Sequence, residues 1–326
     1  MPKFKDSDFL YLSTLVKAME EGLFTSEQYD RLLTAENETE LGRILEEKGL
    51  VQIDVRDIAA VDRALNARMG KTLEELANRS PDPRIMDVFR MKYDYHNAKV
   101  LLKAEQAGVE GARLLSKGGR IAPDVFAERY IQGTTLDIPL VLQKAMKEAK
   151  DSLARTKDAQ LSDVILDRAM YEEYFALAKE LEDQFLVAYI RDMIDATNLR
   201  TAVRAGRMGL DASTVMGLLV PGGKTYTGKI AEAQSLETIY AGSVFEAAAA
   251  AGQNAIMGGE LTQFERLCDE ALGKSLKQAR LIAFGVAPVV AYLAALEAEA
   301  MSIRIILSGK TAGLTVEAIR ERLRTN

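Results

Sequence analysis

Residues 174–205 read YFALAKELEDQFLVAYIRDMIDATNLRTAVRA, and the spacing of their apolar side chains decides the fold class. Phe175, Leu177, Leu181, Phe185, Leu186, Tyr189, Met193 and Ile194 recur mostly three or four apart, on one stripe of a helix. The spacing predicts one long helix. The same periodicity runs through most of the chain, in segments rich in Ala, Leu, Glu, Lys and Arg, which are strong helix formers. Strict alternation of apolar and polar residues, the mark of a half-buried strand, is nearly absent. Asn37 with Glu40, and Thr262 with Glu265, have the spacing of a capping box that opens a helix. Prolines in Ser80-Pro81-Asp82-Pro83, Ala122-Pro123 and Val220-Pro221-Gly222-Gly223 mark connections or helix starts. The expectation is an all-α protein of about a dozen helices or more.

Inside the quoted stretch lies Asp195-Ala196-Thr197-Asn198-Leu199-Arg200. Its pattern of acid, two residues, Asn or Ser, one residue, base returns in Asp94-Tyr95-His96-Asn97-Ala98-Lys99 and in Glu299-Ala300-Met301-Ser302-Ile303-Arg304. The copies stand roughly 100 residues apart, a period that makes each repeat a small helical domain rather than a solenoid unit. Eleven positions after each Asn or Ser comes a glycine, Gly108, Gly209 or Gly313, followed by the apolar Val109, Leu210 or Leu314. That pairing is the signature of a helix stop, with glycine in the left-handed conformation. Acid and Asn or Ser, three apart, share one helical face. Three related domains are therefore expected at 1–112, 113–212 and 213–326, each ending in this helix, in a pseudo-threefold arrangement.

Composition excludes several functions. The 326 residues include a single cysteine, Cys268, and a single histidine, His96, so neither an internal disulfide nor a zinc site of several His and Cys is available. A net charge of -6 is the wrong sign for binding nucleic acid phosphates. The start, MPKFKDSDFLYLS, has acids where a signal peptide needs an apolar run, so a cytoplasmic protein is expected. The apolar run from Leu281 to Leu296 is interrupted by Gly285 and Pro288 and falls short of the about 20 residues that span a membrane; it reads as a break or a packed core helix.

Candidate chemistry is sparse. Gly217-Leu218-Leu219-Val220-Pro221-Gly222-Gly223-Lys224-Thr225 resembles a phosphate-binding loop, but Gly223 separates Gly222 from the lysine and no strand precedes it. Gly309-Lys310-Thr311 lacks the upstream glycine. His96 gives way to Thr197 and Met301 in the other repeats, Cys268 reads as a small buried side chain, and Glu180, Glu182 and Asp183 read as a solvated face. No catalytic, cofactor-binding or metal-binding residues are assigned. The balance favours an interaction protein; an all-helical small-molecule enzyme using His96, or a general helical scaffold, are the alternatives.

The repeat also carries a family likeness. Phe89-Arg90-Met91-Lys92-Tyr93-Asp94-Tyr95-His96-Asn97-Ala98-Lys99-Val100-Leu101-Leu102-Lys103 resembles the C subunit of the V/A-type rotary ATPases, the counterpart of the eukaryotic V-ATPase d subunit. Asp195 to Arg200, Tyr292 to Arg304, Gly309-Lys310 and the segment from Glu317 to Leu323 resemble the same family, and the likeness runs from Phe9-Leu10-Tyr11-Leu12 to the end. One departure lies in Phe284-Gly285-Val286-Ala287-Pro288, where an acid beside the proline is expected. The resemblance implies a funnel of three similar helical domains and a non-catalytic rotor part, without cofactor or transmembrane segment. Such a part sits on the cytoplasmic face of the membrane proteolipid ring, receives the D and F subunits of the central shaft, and passes torque between shaft and ring during proton or sodium transport. Lys99, Arg200 and Arg304 are the candidate partner contacts, although their repetition favours a structural role within each domain; Asp94, Asn97, Gly108, Asp195, Asn198, Gly209, Glu299, Ser302 and Gly313 are the structural repeat.

Overall fold

The computed structural model describes residues 4–51, 53–134 and 137–323; residues 1–3, with which the leaderless N-terminal reading begins, lie outside them. The chain runs through α1 (Leu10–Glu20), α2 (Ser26–Thr34), α3 (Glu38–Glu46), α4 (Ile58–Ala77), α5 (Asp87–Ala107) and α6 (Pro123–Gln132). Next come α7 (Leu140–Thr156), α8 (Ala159–Glu180), α9 (Gln184–Arg207), α10 (Ala212–Leu218) and α11 (Thr227–Ala231). The last are α12 (Leu236–Ile239), α13 (Glu246–Ile256), α14 (Leu261–Ala279), α15 (Val286–Thr311) and α16 (Val316–Arg320). No described residue lies in a strand, so the protein is all-α.

The stretch 174–205 is two helices rather than one. Asp183 turns its carboxylate back to accept from the Leu186 amide at 2.7 Å, and Glu182 takes the left-handed conformation with φ 53°. An Asp serves better as an N-cap than in a helix interior, a local preference that the apolar period does not register. Asn37 does cap α3, its Oδ1 accepting from the Glu40 amide at 3.0 Å. Thr262 does not cap α14: the helix starts at Leu261, with Glu260 as N-cap. The turn at Gly258, with φ 103°, delivers the chain to that helix two residues early.

Two compact units form. Asp82–Ala233 holds α5 to α11, with Tyr95, Leu102, Phe126, Leu142 and Leu166 in a core gathered by α5, α6, α7 and α8. The other unit joins Phe4–Pro81 to Gln234–Asn326. There Leu32, Ile44 and Leu65 pack against Ile303, Ile306 and Ile319, so the first helices of the chain share a core with its last ones. Helix α15 is buried nearly all round, and Ala287 is buried in its first turn. Among the described residues no helix is long and apolar enough to cross a membrane.

The three repeat glycines end their helices identically. Gly108, Gly209 and Gly313 have φ of 67°, 67° and 69°. The amides of Val109, Leu210 and Leu314 donate to the carbonyls of Ala104, Ala205 and Gly309 at 3.0, 3.1 and 2.9 Å, the six-to-one bond of a Schellman stop. A Cβ at any of these positions meets open space, so its cost is purely conformational. Alanine at any of the three should cost about 1 kcal/mol, alike at all three positions, as read from urea denaturation midpoints.

Candidate functional site

The acids of the repeat are buried, and each grips the backbone at the residue before the cap of a short helix. Asp94, on α5 and 0% exposed, accepts at Oδ1 from the amides of Arg120 at 2.9 Å and Ile121 at 3.2 Å, just ahead of α6. Asp195, on α9 and 2% exposed, accepts from Lys224 and Thr225 at 3.1 Å each, just ahead of α11. Glu299, on α15 and 2% exposed, accepts from Phe24 at 2.5 Å, just ahead of α2. Ile121, Thr225 and Phe24 each precede the N-cap, so the three joints correspond residue for residue. The third one closes with the N-terminal segment of the chain.

Asparagine adds a second bond pair in two joints. Asn97 accepts from the Ser116 amide at 2.7 Å and donates to its carbonyl at 2.9 Å. Asn198 does the same with Val220, at 2.8 Å both ways. Both polar ends of the amide side chain are thus satisfied in the interior, where an unpaired group would be costly. In the third joint Ser302 instead hydrogen-bonds the Tyr29 hydroxyl.

Cations finish the first and third joints. The Arg120 Nε donates to Asp94 Oδ2 at 2.6 Å and its Nη1 to Glu173 Oε1 at 2.5 Å, while the Tyr95 hydroxyl donates to Glu173 Oε2 at 2.8 Å. Arg68 Nη1 donates to Glu299 Oε1 at 2.6 Å. Burial raises the carboxyls of Asp94 and Glu299 above the usual range, against the pull of these guanidinium groups and of the backbone amides.

Two glycines leave room for the carboxylates. An ideal Cβ on Gly119 would stand 2.2 Å from Asp94 Oδ1, and one on Gly223 would stand 2.2 Å from Asp195 Oδ1. This is why the phosphate-loop likeness fails: the amides of Lys224 and Thr225 already bind a carboxylate, and the Lys224 ammonium lies 2.5 Å from Asp192 Oδ1. Gly309-Lys310-Thr311 lies within α15, with Lys310 donating to the Ala35 carbonyl at 2.9 Å. Sequence reasoning passed over Gly119, Arg120 and Arg68, and read Gly223 only as the residue that spoils a phosphate loop. The paired runs Gly118-Gly119-Arg120 and Gly222-Gly223-Lys224, two glycines and a base after each acid, were the signal available for three of them.

The candidate partner contacts are engaged internally. Lys99 Nζ lies 2.6 Å from Asp167 Oδ1; Arg304 pairs with Asp62 and donates to Asn66 at 3.0 Å; Arg200 acts electrostatically on Tyr171. Exposed His96 has its imidazole pushed below its ordinary value by partial burial and by Lys99 and Lys103, and Cys268 is buried. Among the described residues no group of His, Cys, Asp and Glu has the arrangement of a metal site.

Known proteins resemble the chain over nearly its full length. The family description "ATP synthase (C/AC39) subunit" matches residues 12–322. The C subunit of the V-type sodium ATPase of Enterococcus hirae is 25% identical, over 96% of this chain and 97% of the relative. The C subunit of the A-type ATP synthase of Thermococcus kodakarensis is 24% identical over 98% of this chain and 91% of its own. That of Methanocaldococcus jannaschii is 23% identical over 97% and 86%.

Proposed function

We propose that this chain, which belongs to the ATP synthase (C/AC39) subunit family, is the rotor part that joins the central shaft of a V/A-type rotary ATPase to its membrane proteolipid ring. The observation that carries the reading is the family match over residues 12–322, with relatives matched along almost their whole length. A member of this family is a non-catalytic subunit of the rotary complex. Its partners are then the D and F subunits of the shaft on one side and the ring on the other, and it sits peripherally on the cytoplasmic face of the membrane.

The chemistry of the joints suits a part that transmits torque. A load passed through a protein must not be absorbed by sliding connections, and buried charge-assisted bonds are the short, directional contacts that resist this. Each joint ties a long helix to the start of another through at least one such bond. Lys99 and Arg304, paired with acids of their own unit, support the role of internal ties better than that of partner contacts. The division into three repeat domains, 1–112, 113–212 and 213–326, belongs to the same proposal. The joints favour one amendment: Asp94 and Asp195 bind the segment that follows them, and Glu299 binds Phe24 near the start of the chain, so each signature helix is tied to the opening of the next repeat, in cyclic order, rather than closing its own.

Incubating the purified chain with the shaft proteins, and separately with ring-bearing membranes stripped of their own copy, tests the reading. Co-sedimentation with the membranes and capture by the shaft are expected; binding to neither would overturn it.

A further inference from the structure

The second joint departs from the other two. Three residues before its acid stands Asp192, 3% exposed, where the corresponding positions of the first and third signature helices hold the buried apolar Met91 and Leu296. Asp192 and Asp195 therefore share one face of α9, a turn apart, both out of water. We propose that Asp195, with Asp192 as its charged neighbour, is a proton-responsive latch on the segment before α11, holding that segment more tightly when the Asp195 carboxyl is protonated.

The geometry supplies the parts. Gly222 and Gly223 thread between Phe175 of α8 and Asp195 of α9, where a Cβ on either would collide with those side chains. The next two amides, of Lys224 and Thr225, are bound to Asp195, and the Lys224 ammonium reaches Asp192. The Lys224 side chain is 49% exposed, so water weakens the compensation it gives. Around the pair, Arg168 of α8 is committed to the carbonyls of Gly217 and Leu219, Tyr171 of α8 bonds Thr197, and Arg191 of α9 and Lys229 of α11 are exposed.

Burial pushes Asp195 up to about 6, with the Asp192 charge adding to the rise and the Thr225 and Lys224 amides opposing it. When the segment opens, water reaches the carboxyl and its pKa returns toward the ordinary value near 4. The closed state therefore binds more protons than the open one between about pH 4 and pH 6. Closure is favoured on the acid side of that window and is lost as pH rises through it.

Hydrogen exchange of the Lys224 and Thr225 amides in the full chain, corrected for intrinsic rates, reads the latch from pH 4.5 to pH 7.5. Their protection is expected to fall by about tenfold or more across that range, one pKa unit of difference being a factor of ten. Asp192→Asn, which keeps the shape and removes the charge, should move the midpoint down; a residue with only a packing role would lower protection at every pH and leave the midpoint in place. Protection that does not change with pH, or an unmoved midpoint in Asp192→Asn, would overturn the latch.

Discussion

Arg120→Ala should lower the stability of the Asp82–Ala233 unit by about 3–5 kcal/mol, the range for removing one partner of a buried ion pair. The guanidinium bridges Asp94 and Glu173, and the Asp94 carboxylate is fully enclosed. Without the bridge two carboxylates face each other with the backbone amides and the Tyr95 hydroxyl as their remaining donors. Glu173→Gln keeps an acceptor for Tyr95 and leaves Asp94 its cation, so it should cost only about 1–2 kcal/mol. Urea denaturation, following the transition of this unit, measures both. The Arg120→Ala deficit should shrink as pH falls. Burial already holds Asp94 above the carboxylate range, and losing Arg120 raises it further, so the folded variant binds a proton that the unfolded chain releases. A deficit independent of pH would mean that Arg120 acts mainly through packing.

The sequence disclosed the joints' acids but not what they hold. Acid, Asn and glycine recur at fixed offsets because a helix imposes one geometry on all three copies, and the left-handed stops at Gly108, Gly209 and Gly313 follow from local rules. The partners lie elsewhere. Asp94 binds amides 26 and 27 residues onward, Asp195 binds them 29 and 30 onward, and Glu299 reaches back 275 residues to Phe24. Loop length is free to vary between copies as long as the chain end arrives at the carboxylate, so a fixed-offset pattern does not register it. The break at Glu182 was missed for a related reason, since apolar periodicity continues across a cap that depends on one side chain. The fold class needed only period, whereas the interlocking of the chain's two ends needed tertiary contacts.

Gly223→Ala should be far more damaging than alanine at the helix stop Gly209, although both replace a glycine with the smallest side chain that has a Cβ. At Gly209 the space is open and only the left-handed backbone is penalised, about 1 kcal/mol. At Gly223 the new methyl would overlap Asp195 Oδ1 and crowd Ile194 Cγ2 at 3.2 Å. Either the carboxylate leaves, freeing two amides, or the loop moves off the helix. Overpacking costs about 1–3 kcal/mol and each stranded buried group about as much, so a loss of about 3 kcal/mol or more is expected. A double-mutant cycle with Asp195→Ala separates this cause from a general intolerance of the loop. Once the carboxylate is gone the added methyl has room, so the second substitution should cost much less than in the native background. A coupling of about 1 kcal/mol or more identifies the glycine as the seat of the carboxylate, whereas strict additivity would mean that Gly223 is required for its backbone alone.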